Sequence, residues 1–205
     1  KSLQNPEIYS KAVNMKKDII LAGVGGQGIL SIAAAIGLAA VDSGLYLKQA
    51  EVHGMSQRGG AVQSHLRISD APIASDLIPE GACDMILSVE PMEALRYLPF
   101  LTRDGWVVTS SKSFVNIDDY PDENELYNEI RSVSNHVIVD SHSIARELGS
   151  LKVSNMVMLG AASEYLEISQ EALERALNTL FGRKGEEVVE LNIKALRAGK
   201  LAISI

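Results

Sequence analysis

A chain of 205 residues, 46% hydrophobic and 22% charged, is long enough for one domain with a sizeable apolar core. Its 26 acidic and 19 basic residues give a formal charge of −7, which argues against a general nucleic-acid binder because no basic excess is available to neutralise phosphates. The single cysteine, Cys83, excludes an internal disulfide, and one thiol cannot form a four-cysteine zinc site or an iron–sulfur cluster.

The start of the chain, Lys1 to Met15, is polar and lacks the apolar centre of a secretory signal. We expect residues 1–16 to be a flexible N-terminal segment and residues 17–205 to form a single domain. No apolar stretch reaches the roughly 20 residues that a membrane-spanning helix needs. With the lone thiol, this favours a cytoplasmic protein that binds neither membrane nor nucleic acid.

The first half of the domain is predicted to alternate strands and helices. A buried strand at 18–23 is followed by an alanine-rich helix at 28–44 and an alternating strand at 45–50. Another strand is predicted at 61–68, and the stretch between it and the previous strand is too short for a crossover helix. The sheet should therefore carry an antiparallel or irregular excursion here.

Further along the chain, strands are predicted at 83–89, 105–111 and 136–141, with a short helix at 90–101 interrupted by Pro99. The stretch 116–130 is expected to be an acidic, turn-rich connection. Its acidic patch, Asp118 to Glu125, is most simply a solvated loop, with a docking edge as the alternative. From Ser141 onward the pattern is helical. These elements predict a Rossmann-like three-layer α/β sandwich, with a mostly parallel sheet and a helical C-terminus.

The turn after the first predicted strand, GVGGQG, carries the spacing of a dinucleotide-binding motif in Gly23, Gly25 and Gly28. Such glycines permit a tight turn, close approach of the backbone to a pyrophosphate, and close packing of the helix on the strand. The helix N-terminus then presents amide groups to an anion. Gly26 exposes further backbone, and the amide of Gln27 can both donate and accept hydrogen bonds. Packing of a helix on a sheet, without a ligand, is the alternative interpretation.

A second loop, EVHGMSQRGG, follows the strand at 45–50. Glu51 stands roughly where a ribose-binding acid would be expected. Arg58, between Gln57 and the pair Gly59 and Gly60, is suited to bidentate capture of a phosphate or carboxylate.

The two loops together, with NMVMLGAASEYL and ELNIKALRAGK near the C-terminus, resemble the gamma-type subunits of 2-oxoacid:ferredoxin oxidoreductases. HGMSQRGG is most similar to the indolepyruvate branch, and the resemblance covers about residues 17–200. It implies that a large partner subunit binds thiamine diphosphate and the iron–sulfur clusters. The complex would decarboxylate a 2-oxoacid, here an aryl pyruvate such as indolepyruvate, passing electrons to ferredoxin and the acyl group to coenzyme A.

Several roles stay open on the sequence. Coenzyme A could place its phosphates against Gly25 to Gly28 and Arg58, or Gln27, Glu51 and Arg58 could instead contact the partner subunit. A free-standing NAD-binding protein and an interaction module with a vestigial nucleotide turn are the alternatives from other classes. We expect His142 to lie near a helix start as a surface residue, and Met156 and Met158 to fill the core. We expect no cofactor to be held by this chain alone.

Overall fold

The computed structural model describes residues 15–53 and 60–203, except for the side chains of residues 52 and 53. These ranges form a six-stranded sheet with helices packed on both faces. The strands are β1 Lys16–Val24, β2 Tyr46–His53, β3 Ala61–Ser69, β4 Cys83–Ser88, β5 Leu101–Ser110 and β6 His136–Val139. The helices are α1 Ile29–Asp42, α2 Pro91–Arg96, α3 Glu123–Ser132, α4 Ser141–Glu147, α5 Ser154–Ala162, α6 Gln170–Phe181 and α7 Glu186–Leu201. The predicted three-layer α/β fold is confirmed.

The sheet has the strand order β2-β3-β1-β4-β5-β6. Strands β1, β4, β5 and β6 run parallel, whereas β3 runs antiparallel to both of its neighbours, β1 and β2. The predicted antiparallel excursion is therefore the hairpin of β2 and β3, whose last described pair before the turn is His53 with Val62. Because β3 lies between β1 and β2, those two strands are about 9–10 Å apart.

Alternate residues of the central strand β1 face two separate cores, as the two-residue period of a strand requires. Ile19 and Leu21 pack in a core with side chains of α1, α5, α6 and α7. Ile20, between them, packs in a smaller core with Ala94 of α2 and Ile130 of α3. Burial of β1 on both faces explains its nearly continuous apolar sequence.

Helices α5 and α7 approach each other closely through two glycines. A Cβ atom on Gly160 would lie 1.9 Å from the carbonyl oxygen of Leu196, and one on Gly199 would lie 1.9 Å from that of Val157. Only glycine fits at such a backbone contact. The predicted core residues Met156 and Met158 lie on α5 and are fully buried, as expected.

One predicted connection contains a helix that the sequence interpretation missed. The expectation of a turn-rich stretch over 116–130 is wrong for its second half, where α3 begins at Glu123. The carboxylate of Asp122 caps this helix by accepting a 2.8 Å hydrogen bond from the amide of Asn124. Leu126 and Ile130, four residues apart, bury one face of the helix. The capping aspartate and the four-residue apolar spacing are both sequence features that indicate a helix, but the acidic composition of the stretch was given more weight.

The expectation of a flexible segment at 1–16 falls almost wholly outside the described residues, although Lys16 already belongs to β1. The helix predicted at 90–101 ends at Arg96, and a short 3-10 turn with Pro99 at its centre follows. Cys83 begins β4 and is fully buried, as predicted. In the described part of the chain, no helix is long and apolar enough to cross a membrane.

Candidate functional site

The strand order reverses direction between β1 and β4, because the chain leaves β1 towards β2 on one side and continues from β4 towards β5 on the other. In open α/β sheets, ligands bind outside the carboxyl ends of the strands at this point. A cleft of about 340 Å³ opens there. Its lining comes from the segments that follow β1, β4, β5 and β6 and from the start of α5: Gly26, Gln27, Gly28, Val89, Phe114, Ser141, His142, Leu151, Lys152, Ser154, Asn155 and Met158.

The glycine turn after β1 needs its glycines for two different reasons. Gly26 and Gly28 have φ angles of 99° and 82°, in the left-handed region that side chains disfavour. Gly23 has close neighbours instead, since a Cβ there would lie 2.4 Å from Cγ2 of Val89 and 2.8 Å from Cδ1 of Ile29. The turn therefore brings backbone to the cleft surface while packing tightly against the segment after β4.

Gln27 is used by the turn itself. The side-chain oxygen of Gln27 accepts a 2.7 Å hydrogen bond from the backbone amide of Val24. The backbone amide of Gln27 donates a 3.2 Å hydrogen bond to the carbonyl oxygen of Val24. The two predicted loops also meet directly, because the amide of Gly25 donates a 2.8 Å hydrogen bond to the carbonyl of Gly60. These bonds hold the turn in its conformation through contacts within the chain itself.

The N-terminus of α1 faces the same cleft. Gly28 is its N-cap residue and, having no side chain, cannot itself cap the helix. A helix of this length carries a partial positive charge at its N-terminus and can stabilise an anion there. The position of Gly28 is fixed by α5, because the side-chain amide of Asn155 donates a 3.1 Å hydrogen bond to the Gly28 carbonyl.

The cleft is also lined by a basic side chain, Lys152, and by the imidazole of His142. The side chain of Lys152 is exposed. Within the described residues, the buried Nδ1 of His142 has no hydrogen-bond partner. Burial, followed by the charge of Lys112, lowers the pKa of His142, while Asp140 opposes the shift. The arrangement can bind an anion through the lysine and a polar neutral group through the imidazole.

The predicted site residues are only partly brought together. Gly25, Gly26, Gln27 and Gly28 form the turn at the cleft, with Gly60 hydrogen-bonded to it. Glu51 is exposed on β2 and pairs with Ser64 of β3. Ser64 in turn pairs with Leu21 of β1, so a residue of β3 lies between Glu51 and β1. A dinucleotide-binding acid would stand on the strand next to β1, but here β3 intervenes. The side chain of Glu51 is hydrogen-bonded to Gln49 at 2.6 Å. The remaining predicted residues, Gln57, Arg58 and Gly59, lie outside the described residues.

Sequence reasoning missed most of the second wall. His142 does lie in the first turn of α4, as expected, but it faces the cleft and is half-buried. Phe114 and Ser141 come shortly after β5 and β6, so the rule that ligands bind at the carboxyl ends of parallel strands could have found them. Lys152 and Asn155 lie beyond these connections, and no signal in the sequence marks them.

A doubly wound α/β domain with a cleft at its switch point is the class of protein that these observations define. The chain matches the family model for pyruvate ferredoxin/flavodoxin oxidoreductases over residues 18–202, and it belongs to that family. The family resemblance inferred from the two glycine loops is thereby confirmed.

Individual relatives agree with this assignment. The chain is 37% identical to the indolepyruvate oxidoreductase subunit IorB of Archaeoglobus fulgidus over 194 residues, covering 90% of this chain and 94% of that one. The gamma subunit of a keto/oxoacid ferredoxin oxidoreductase from Geobacter sulfurreducens PCA has a TM-score of 0.66 at 27% identity, covering 92% of this chain and 99% of that chain.

A longer relative has been solved with ligands. The 2-oxoglutarate:ferredoxin oxidoreductase from Magnetococcus marinus, with 2-oxoglutarate, coenzyme A and succinyl-CoA bound, has a TM-score of 0.75 at 27% identity. The similarity covers 93% of this chain but only 31% of that chain. This chain therefore corresponds to about a third of the Magnetococcus polypeptide.

No group of three or more histidine, cysteine, aspartate or glutamate side chains suited to a metal ion occurs among the described residues. Cys83 is buried in the core, where burial raises the pKa of its thiol to about 12. A thiol in this state is poorly suited to act as a nucleophile or ligand, because both roles require the thiolate.

Proposed function

We propose that this chain is the non-cluster subunit of a 2-oxoacid:ferredoxin oxidoreductase of the indolepyruvate type. The observation that carries the proposal is the ligand-sized cleft at the switch point of the sheet. It occurs in a chain that is 37% identical to an IorB subunit, and the match covers 94% of that subunit. A large partner subunit supplies thiamine diphosphate and the iron–sulfur clusters. The complex converts an aryl pyruvate and coenzyme A to an acyl-CoA and carbon dioxide, and the electrons pass to ferredoxin.

The cleft is proposed to hold part of coenzyme A. Its pyrophosphate would accept hydrogen bonds at the N-terminus of α1, where Gly26 and Gly28 have no side chains of their own to cover the backbone. Lys152 adds a positive charge to the lining of the cleft. Apolar side chains of Val89, Phe114, Leu151 and Met158 line the rest of the cleft, as a neutral pantetheine arm requires. Coenzyme A supplies the thiol that accepts the acyl group, and this chain binds and orients it.

The cysteine content is in keeping with this division of labour. A cluster requires several thiolate ligands, and the chain has one cysteine, which is buried. In the solved Magnetococcus chain the matched region is only 31% of the length, which leaves ample room for the remaining machinery on other segments. We therefore expect the isolated chain to be colourless and to reduce no ferredoxin.

The test is a reconstituted complex of this chain with the large subunit, assayed for 2-oxoacid-dependent ferredoxin reduction while coenzyme A is titrated. Arg58→Ala and Lys152→Ala are each expected to raise the half-saturating coenzyme A concentration about ten- to a hundredfold, because each removes a charge-assisted hydrogen bond of roughly 1.5–3 kcal/mol. Arg58→Lys should recover only part of the loss, because an ammonium lacks the planar fork. A lower rate at saturating coenzyme A would instead indicate that Arg58 orders the active site of the partner.

Matched controls are available away from the cleft. Arg103→Ala, at the amino end of β5, and Lys194→Ala, on the exposed side of α7, remove the same charges and should leave the kinetics unchanged. Indolepyruvate should be preferred over 2-oxoglutarate and pyruvate, and the reverse preference would refute the indolepyruvate assignment. Binding of NAD by the isolated chain, abolished by Glu51→Ala, would favour the free-standing dehydrogenase instead.

A further inference from the structure

The carboxylate of Glu90 ties together three segments beside the cleft. Glu90 follows β4 and is fully buried. One of its oxygens, Oε2, accepts a 2.8 Å hydrogen bond from the amide of Glu93 and so caps α2. The other, Oε1, accepts hydrogen bonds from the amide of Phe114, at 3.3 Å, and from the hydroxyl of Tyr120.

Both bonds to Oε1 come from one loop between β5 and α3. Burying a carboxylate is costly unless its oxygens are hydrogen-bonded, so the loop and the carboxylate stabilise each other. The pKa of Tyr120 is raised by burial and by its bond to Glu90, which keeps the hydroxyl protonated as the donor. We call residues 114–119, between the two attachment points, the 114–119 loop.

This well-anchored loop presents apolar side chains to solvent. Val115 is 70% exposed, and Phe114 and Ile117 are 43% and 45% exposed. Phe114 also lines the cleft, and Leu151, which lines it too, is similarly exposed. Exposed apolar groups that are held in place beside a ligand cleft are typical of a surface that binds another protein.

The charges around the loop indicate the chemistry of the partner. Asp118 and Asp119 are exposed within the loop, and Asp122 and Glu123 are exposed immediately after it. A surface that covers the apolar side chains must also face these carboxylates. Such a surface has an apolar centre with lysine or arginine at its rim.

We propose that the 114–119 loop is the docking surface for the large partner subunit, which covers the loop with an apolar patch rimmed by basic side chains. Because Phe114 belongs both to the loop and to the cleft, docking also closes one side of the cleft. This inference rests on the proposed function, because it takes the large subunit as the occupant.

The apolar part of the surface is tested with two exposed valines. Val115→Asp places a charge in the docking surface, whereas Val41→Asp makes the same change on the outer side of α1, where Val41 is 59% exposed. Titration of each purified variant with the large subunit should show association at least about tenfold weaker for Val115→Asp and within about twofold of wild type for Val41→Asp. Equal effects of the two variants would overturn the proposal.

The electrostatic part is tested by salt dependence. Asp118→Asn combined with Asp119→Asn should slow association with the large subunit and flatten its dependence on ionic strength, because long-range attraction to basic side chains is removed. Glu186→Gln combined with Glu187→Gln, at the exposed start of α7, makes the same charge change and should alter neither quantity. An unchanged salt dependence in the loop variant would overturn the proposed basic rim.

The anchoring by Glu90 is tested with Tyr120→Phe, which keeps the ring and removes the hydroxyl donor. Amide hydrogen exchange in the 114–119 loop should become at least about tenfold faster, and association with the large subunit should weaken in parallel. The control is Tyr46→Phe, which removes the hydroxyl of a half-exposed tyrosine on β2. It should change neither the exchange rate of the loop nor the association. Faster exchange with unchanged association would overturn the docking role.

The outcomes separate this inference from the proposed function. If wild-type chain and large subunit do not associate at all, the proposed function fails. If they associate and support coenzyme A-dependent ferredoxin reduction, but Val115→Asp behaves like Val41→Asp, then only the docking surface fails. Thermal melts of each free variant confirm that differences in association are not caused by unfolding.

Discussion

Asn155 and Gly28, 127 residues apart in sequence, are joined by a 3.1 Å hydrogen bond from the asparagine side-chain amide to the glycine carbonyl oxygen. The contact is so close that a Cβ on Gly28 would lie 2.4 Å from Nδ2 of Asn155. The start of α5 therefore sets the height of the glycine turn above the sheet. The turn that we propose to contact coenzyme A therefore depends on a side chain 127 residues away in the sequence.

Asn155→Ala is expected to destabilise the chain by about 1 kcal/mol, the typical net value of one such hydrogen bond, and to weaken coenzyme A binding in the complex. Asn155→Asp should cost more, because a carboxylate oxygen would then face the Gly28 carbonyl oxygen. Urea unfolding measures the first effect and the half-saturating coenzyme A concentration the second. Asn178→Ala removes a similar bond of 3.0 Å on the exposed side of α6 and should have an effect below about 0.5 kcal/mol. Equal losses in Asn155→Ala and Asn178→Ala would contradict the special role of the buried contact.

Gly160→Ala is expected to destabilise the chain by roughly 3 kcal/mol or more, since the added methyl group would overlap the carbonyl of Leu196 and must push α5 and α7 apart. Gly182→Ala is the matched control. Gly182 has a helical φ of −52°, and nothing lies within 4 Å of its Cβ position. This change should be neutral or slightly stabilising, by at most about 1 kcal/mol. Comparable denaturation midpoints for the two variants would rule out the close helix contact.

Stability should fall on mild acidification because of two histidines, of which His65 is buried and His142 is half-buried. The amide of Ile78 donates a 3.0 Å hydrogen bond to Nδ1 of His65, which requires that nitrogen to be unprotonated. Burial, partly opposed by Asp76, lowers the pKa of His65 in the folded chain below its ordinary value of 6.5. The pKa of His142 is lowered as well. The unfolded chain therefore binds more protons than the folded chain as pH falls.

This histidine contribution is fully present above about pH 6.5 and is lost as pH falls from there through the lower pKa values of the folded state. His65→Gln and His142→Gln should each remove part of the decline in the free energy of unfolding between about pH 7 and pH 5, measured by urea denaturation at several pH values. A free energy of unfolding that stays constant over this range in the wild-type chain would contradict the expected sign.

Arg67→Ala should be strongly destabilising because it leaves a buried charge. Arg67 donates to both carboxylate oxygens of Asp18, at 2.7 and 3.0 Å, and the Asp18 side chain is 1% exposed. Removing one partner of a buried pair costs about 3–5 kcal/mol, although the exposed amine of Lys16, 2.8 Å from Asp18, should reduce this. Arg175→Ala breaks a 2.7 Å pair with Asp42 in which both side chains are more than half exposed, and should cost at most about 1 kcal/mol. Thermal or urea denaturation of both variants measures the two losses of folding stability. Similar losses would show that leaving the buried carboxylate of Asp18 without Arg67 carries no penalty.

The sequence predicted the main architecture because its signals are local. The apolar run of β1, the glycines after it and the alanine-rich α1 each express a requirement of a few neighbouring residues. The hairpin of β2 and β3 could be predicted because a short connection cannot carry a parallel crossover. Helix α3 was missed where capping by Asp122 and the spacing of Leu126 and Ile130 were outweighed by acidic composition.

The candidate site was predicted on one wall only. The turn from Gly23 to Gly28 has a sequence signature because its conformation demands glycine. Lys152, Asn155 and His142 are ordinary surface or helix-start residues in the sequence, and they become part of a site only because the fold places them around the same cleft as that turn. Glu90 is an extreme case, since its role depends on bonds to Phe114 and Tyr120 far along the chain.

The antiparallel hairpin of β2 and β3 anchors both ends of the sequence that contains Arg58. Its two ends are held in fixed register by the pairing of His53 with Val62, and Gly60 is bonded to the glycine turn. We therefore expect the order and register of the described strands to be independent of which residues follow His53 and precede Gly60. Exchange of residues 54–59 for those of a relative is then the natural way to test the proposed role of Arg58 without disturbing the sheet.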